Sequence, residues 1–284
     1  MNLVSLREVL EPAEKGGYAV GAFNANNMEI VQAIIEAAAE ENSPVIVQAS
    51  QGAIKYAGLD FIVAMVKAAA RGVKIPVVLH LDHGTDYEQV IRCIRYGFSS
   101  VMYDGSKLPL EENIAMTRRV VEIARAVGVS VEGELGKIGG TEDDVTVEER
   151  EALFTEPEEA ERFVRETEVD ALAVAVGTAH GPYKFEPKLD YPRLKRIKEL
   201  VTTSIVLHGS SGVPDEAIKQ AVALGVTKIN IDTQIRQAFV QAVTAYMQAN
   251  PADIDPRKIL APGKEAAKKI IKEKMRLFGC SGKA

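Results

Sequence analysis

Eight short apolar runs alternate with eight amphipathic stretches along a 284-residue chain, and no linker or low-complexity segment interrupts them. The runs cover residues 19–24, 44–49, 77–81, 100–103, 129–134, 171–176, 204–207 and 228–231. Each is too short and too apolar to be a half-exposed strand, so each reads as a strand buried on both faces. The stretches between them, such as I-V-Q-A-I-I-E-A-A-A-E and E-A-I-K-Q-A-V-A-L-G, carry apolar residues at three- and four-residue spacing, as helices with one buried stripe do. Strict βα alternation implies a parallel sheet. Eight units without a break favour closure into a (β/α)8 TIM barrel, and residues 1–284 are read as one such domain. An open nucleotide-binding sheet would want G-x-G-x-x-G after its first strand, where this chain has A-F-N-A-N-N.

Additions flank the repeat. Ser5 with Glu8 three residues on forms a capping box for an N-terminal helix over 5–15, which Gly16-Gly17 stops. Residues 136–155 are glycine-containing and acidic and are expected to form a mobile loop over a site. Residues 250–262 are proline-rich, and an extra C-terminal helix rich in lysine is expected over 263–277, with a solvated face.

The net charge of -6 argues against non-specific nucleic-acid binding. It leaves room for a phosphorylated substrate, which needs only local positive potential. Cys93 and Cys280 form no C-x-x-C and suggest no disulfide framework, which suits a reducing compartment. No apolar run approaches the roughly 20 residues of a membrane helix, and the first residues lack a signal-peptide pattern. A cytoplasmic protein is expected.

In such barrels the chemistry lies at the carboxyl ends of the strands. Here those ends carry Asn24, Ser50, the group His80, Asp82 and His83, then Asp104, Glu132, Glu134, His180, His208, Asn230 and Asp232. A lone histidine at a strand end is more often a hydrogen-bonded structural residue than a ligand. All four histidines of this chain fall at one kind of place, which reverses that expectation. Three of them from separate strands suit a tetrahedral zinc site with one open position. The loops H-G-S-S-G and N-I-D-T each precede a helix, after the seventh and eighth strands. Small residues there let backbone N–H groups reach a phosphate.

These motifs together resemble the class II, zinc-dependent fructose-1,6-bisphosphate aldolases. The resemblance rests on H-x-D-H-G at His80–Gly84, E-x-E-L-G-x-x-G-G-x-E at Glu132–Glu142, and the later G-T-x-H-G, H-G-x-S-G and N-x-D-T, in order over nearly the whole chain. It implies that His83, His180 and His208 hold a catalytic Zn²⁺, with Asp104 and Glu134 at a second divalent-metal position or orienting the histidines. It implies that Asp82 exchanges a proton with the C4 hydroxyl and that Glu142 is the base for the three-carbon fragment. Asn24, Ser50 and Asn230 would contact substrate near the reacting carbons. Gly181, Lys184, Gly209, Ser211, Asp232 and Thr233 would surround the dihydroxyacetone-phosphate phosphate, with a monovalent cation (Na⁺ or K⁺) nearby, and Arg236, also at the substrate, would with Asp232 favour fructose bisphosphate. Arg257 would reach a neighbouring site in a homodimer or homotetramer.

The implied reaction is reversible cleavage of fructose 1,6-bisphosphate to dihydroxyacetone phosphate and glyceraldehyde 3-phosphate, in glycolysis or gluconeogenesis. Alternatives are a tagatose-1,6-bisphosphate aldolase, which tends to carry alanine in place of Asp232, a zinc hydrolase on the same barrel, and a non-catalytic sugar-phosphate binder. Lys228 shares strand parity with Asn230; the choice there is between a paired strand residue and a Schiff-base amine, and the former is favoured.

Overall fold

The computed structural model describes residues 3–142, 145–147, 153–183 and 187–284. Eight parallel strands close into a barrel. They are β1 (Val20–Asn24), β2 (Val45–Ser50), β3 (Val77–Gly84), β4 (Ser100–Tyr103), β5 (Ser130–Leu135), β8 (Ala171–Val174), β10 (Ser204–Leu207) and β11 (Val226–Ile231). Neighbours follow chain order, and β1 closes on β11 with Val20 opposite Lys228 and Ala22 opposite Asn230. The expected strands recur within a few residues at each end, because a strand buried on both faces needs an unbroken apolar run.

Alternation splits each strand between two environments. Leu79, Leu81, Val101, Ile229 and Ile231 are buried in the apolar core, which the helices pack onto the barrel. A side chain at Gly133 would strike the Phe163 ring, so helix α7 (Pro157–Thr167) lies close on β5. The other parity carries Asn24, Gln48, His80, Asp82, Glu132, Lys228 and Asn230, all buried. An interior this polar is costly unless its groups satisfy one another.

Helix α1 (Leu6–Gly16) has both halves of its capping box, with Ser5 N–H donating to Glu8 Oε2 at 2.7 Å. It covers the amino ends of the strands: Val4 N–H donates to the carbonyl of Val77, and Arg7 pairs with Asp170.

The structure departs from expectation in four places. Two helices, α3 (Gln51–Ala57) and α4 (Leu59–Arg71), follow β2, divided by Gly58 at φ 87°. The segment 136–155 is not all loop. It contains β6 (Gly139–Glu142) and β7 (Val145–Val147), paired antiparallel, and its remaining members 143–144 and 148–152 lie outside the described residues. The terminal helix α11 (Pro256–Phe278) begins seven residues before the expected 263 and contains Pro262. Asp255 caps it and Pro256 fills its first position, where a missing N–H costs nothing, so part of the proline-rich stretch is a helix start. Its lysines are not merely solvated. Lys264, Lys272 and Arg276 pair with Glu36, Glu40 and Glu41 at 2.5, 2.7 and 2.6 Å, fastening α11 to α2 (Met28–Glu40) and the residue after it. No helix of the described residues is long and apolar enough to cross a membrane.

Candidate active site

Strand β3 ends irregularly. Its register against β4 shifts between Leu81 and Gly84, and His83 takes φ 47°. Consecutive strand residues normally face opposite ways. The irregularity at the strand end allows Asp82 and His83, adjacent in sequence, to serve the same mouth. A non-glycine residue held in the left-handed region is strained, and such strain collects where function requires a particular aim.

Three of the four histidines converge. The rings of His83 and His180 have centroids 5.0 Å apart, those of His83 and His208 4.7 Å, and those of His180 and His208 6.0 Å. One ligand atom from each lies within 4.8 Å of the others. His180 does not sit on β8 itself. It lies beyond it in a two-residue strand, β9 (Ala179–His180), which pairs in parallel with β6. Tyr183 ties this segment to the next: its hydroxyl accepts from Ala179 N–H and donates to the Gly209 carbonyl, both at 2.7 Å. Gly209 is at φ 60°, and a Cβ there would strike the Ala179 carbonyl, so the close approach requires glycine. The fourth histidine, His80, stays inside the barrel with Nδ1 2.8 Å from Ser100 Oγ.

The partners of the rings set their tautomers. His83 Nδ1 lies 3.0 Å from Asp104 Oδ2, and His208 Nε2 lies 2.8 Å from Glu132 Oε1. With each carboxylate accepting an N–H, His83 Nε2 and His208 Nδ1 turn their lone pairs inward, 3.0 Å from each other. Two lone pairs so close repel, and a cation shared between them relieves the repulsion. Nitrogens of a tetrahedral zinc site stand about 3.3 Å apart, so the donor set fits a divalent ion. Burial holds His208 below its ordinary value, against the pull of Glu132, which favours the neutral ring that a ligand must present.

The carboxylates differ sharply. Burial alone would raise Glu132, but Lys228, 2.9 Å away, and His208 hold it well below the usual range. Burial would also raise Asp104; hydrogen bonds from His83 and from Ser106 bring it down. Glu134 goes the other way. Burial and then the charge of Asp104 push it well above its ordinary value, and its buried Oε2 has no hydrogen-bond donor among the described residues. His83, Asp104 and Glu134 form a second group with ligand atoms within 4.8 Å of one another.

Asp82 is gripped by amides. Asn24 Nδ2 and Gln48 Nε2 donate to its Oδ2 at 2.8 and 3.0 Å, and Asn230 Nδ2 donates to Oδ1 at 3.3 Å. Its Oδ1 stands 4.0 Å from His83 Nε2.

Around the mouth, Ser50 Oγ caps helix α3 by accepting from Ala53 N–H at 3.1 Å. Ser211 Oγ accepts from Asp232 N–H at 3.2 Å, joining the loop after β10 to the loop after β11. Gly181 at φ 83° follows His180, and Thr233 opens helix α10 (Thr233–Ala249). Arg236 donates to Asp232 at 2.7 Å. Arg257 is 89% exposed and paired with Asp255, so in this chain it stands apart from the buried cluster. The backbone of Glu142 lies on β6, and Lys184 lies outside the described residues. Sequence reasoning gave no role to Gln48, Glu132 or Tyr183.

Fold and site together define a (β/α)8 barrel with a triple-histidine cluster and a buried carboxylate at the carboxyl ends of its strands. The family model for fructose-bisphosphate aldolase class-II matches residues 4–283. A fructose-bisphosphate aldolase of Thermus caldophilus is 48% identical over 99% of this chain and 100% of its own. A sulfofructosephosphate aldolase of Alkalicoccus urumqiensis is 44% identical over 100% and 99%. The crystal structure of a putative fructose-1,6-bisphosphate aldolase from Coccidioides immitis superposes with a TM-score of 0.90 at 32% identity, over 98% of this chain and 97% of that one. The chain belongs to the class II fructose-bisphosphate aldolase family.

Proposed function

We propose that the chain is a lyase that reversibly cleaves fructose 1,6-bisphosphate, with Zn²⁺ held by His83, His180 and His208. The observation that carries the metal reading is the convergence of one ligand atom from each of three histidines to within 4.8 Å of one another, two of them 3.0 Å apart on rings that each meet a carboxylate on the other side. Held there, a divalent ion would supply Lewis acidity that offsets the negative charge developing beside the substrate carbonyl. The chain's own groups do the rest. Asp82, aimed by Asn24, Gln48 and Asn230, takes the C4 hydroxyl proton as the C3–C4 bond breaks and returns it in the aldol direction. Glu142, carried on β6 beside the His180 strand, exchanges the proton of the three-carbon fragment.

Gly181, Lys184, Gly209, Ser211, Asp232, Thr233 and Arg236 bind the rest of the substrate, with a monovalent cation at the phosphate. Asn24, Ser50 and Asn230 contact the carbons near the cleaved bond. His83, Asp104 and Glu134 offer a second divalent position. The barrel strands run from Val20 to Ile231, with α1 and α11 packed on them, which supports a single working domain. Val240, Met247 and Ile254 are exposed large apolar residues and Arg257 is exposed, which supports a homodimer or homotetramer in which Arg257 enters a neighbour's site. The buried free thiols Cys93 and Cys280 support a cytoplasmic location.

The test compares cleavage of fructose 1,6-bisphosphate, its tagatose epimer and a sulfofructose phosphate by the zinc-loaded protein. The highest kcat/KM is expected for the fructose compound. Faster cleavage of the tagatose epimer, or of the sulfonated substrate that the Alkalicoccus relative's name indicates, reassigns the substrate.

A further inference from the structure

Lys228 is a cation with no solvent exposure, and the proposed reaction uses it nowhere. Its Nζ lies 2.9 Å from Glu132 Oε2 and 2.8 Å from Asn230 Oδ1. Each of those residues turns a second atom to the site. Glu132 Oε1 lies 2.8 Å from His208 Nε2, and Asn230 Nδ2 lies 3.3 Å from Asp82 Oδ1. One ammonium thus stands a single residue away from both a histidine of the cluster and the proton-carrying carboxylate.

An ammonium only donates. Asn230 must therefore turn its oxygen to Lys228 and its NH₂ to Asp82; the amide cannot flip without opposing two donors. Glu132, paired to the ammonium through one oxygen, presents the other as an acceptor. His208 must then carry its proton on Nε2 and leave Nδ1 bare toward His83. His80 Nε2, 3.5 Å from Glu132 Oε2, closes the far side of the carboxylate.

We propose that Lys228 is a positioning residue that aligns both halves of the site at once, fixing the ring of His208 through Glu132 and the aim of Asp82 through Asn230. This rests on the aldolase reading above and extends it to a side chain that never touches substrate. A lysine placed only for stability behaves differently: a buried ion pair replaced by apolar or neutral groups of similar shape is often tolerated.

The experiment titrates wild-type protein and Lys228→Met with Co²⁺, following visible absorption, and measures kcat and KM on fructose 1,6-bisphosphate at saturating metal. Wild type is expected to bind Co²⁺ and turn over. In the variant, Co²⁺ affinity falls by about 10–100-fold, as when a ligand's hydrogen-bonded support is lost. The absorption envelope changes, and kcat falls more than tenfold while KM moves by less than about threefold. Should the unpaired Glu132 prevent folding, the double variant Lys228→Met/Glu132→Gln, which removes both charges, is compared with Glu132→Gln alone; its kcat is expected to fall further, through the lost hold on Asn230, and an equal kcat overturns the proposal. A folded variant with wild-type affinity and spectrum overturns the proposal. So does lost turnover with Co²⁺ binding intact, the pattern of a Schiff-base lysine. Failure of the wild type itself to bind Co²⁺ is a separate result; it overturns the aldolase reading on which this one stands.

Discussion

Asp82→Asn isolates the proton-carrying step, because the geometry fixes what the new side chain can do. The residue has no solvent exposure, so asparagine must occupy the same space. Asn24 and Gln48 both donate to one oxygen, at 2.8 and 3.0 Å, and Asn230 donates to the other at 3.3 Å. Asparagine has a single acceptor atom. Placed toward the two closer donors, it leaves its NH₂ facing the NH₂ of Asn230, which Lys228 prevents from turning. An unmatched buried donor costs about 1–3 kcal/mol, so the variant folds with a lowered melting temperature. The catalytic loss is larger. Removing a positioned general base typically lowers the rate by about 10²–10⁴-fold, or about 2.7–5.5 kcal/mol of barrier. Asp82 stands 4.0 Å from His83 Nε2, and the three histidines remain, so metal is retained at saturating zinc. The assay couples triose-phosphate release to a dehydrogenase, with zinc measured on the same sample. A kcat within about threefold of wild type, with zinc bound, would refute the assignment of the proton to Asp82. A fall in zinc content instead would move Asp82 into the ligand set.

Other outcomes follow from the same geometry. Burial and the charge of Asp104 raise Glu134 well above its ordinary value, whereas the unfolded chain releases that proton near about pH 4. Metal-free protein therefore loses stability as pH climbs from there toward the raised value. Metal-free Glu134→Gln is expected to melt at least about 2 °C above wild type at pH 8, with the gap closing near pH 4; equal melting curves at pH 8 would contradict this. Tyr183→Phe removes both 2.7 Å bonds that tie Ala179 to Gly209, and zinc affinity measured by competition with a chromogenic chelator is expected to drop about tenfold while the barrel stays folded. A chelator abolishes cleavage and added zinc restores it, whereas borohydride with substrate leaves the mass of the protein unchanged; covalent trapping on Lys228 would replace the metal mechanism.

The barrel was legible because strands buried on both faces cannot hide their apolar runs, and because eight of them alternated with amphipathic helices. The histidines were legible because the chain has so few and sets each near a strand end. What stayed hidden depended on pairing across distance. Gln48 is a lone amide in V-I-V-Q-A-S, a pattern that carries no motif, although it shares strand parity with Ser50. Glu132 stood beside Glu134 in one motif, yet only three dimensions divide them, one pulled low by Lys228 and the other pushed up by burial. The strand of His180 was invisible because its partner, β6, lies in glycine-rich sequence that read as loop. The lysines of the last helix looked solvated because the glutamates they meet lie more than two hundred residues away.

That two-residue strand has a cost that reaches beyond geometry. Among the described residues its only sheet partner is the strand that also bears Glu142, with Gly140 set against His180. On the proposed reading, the ligand His180 and the base Glu142 thus hang from one shared length of backbone. On that reading a mutation that lengthens the arm for a bulkier sugar would also shift His180, so new substrates are more easily accommodated by reshaping the far rim than by lengthening this arm.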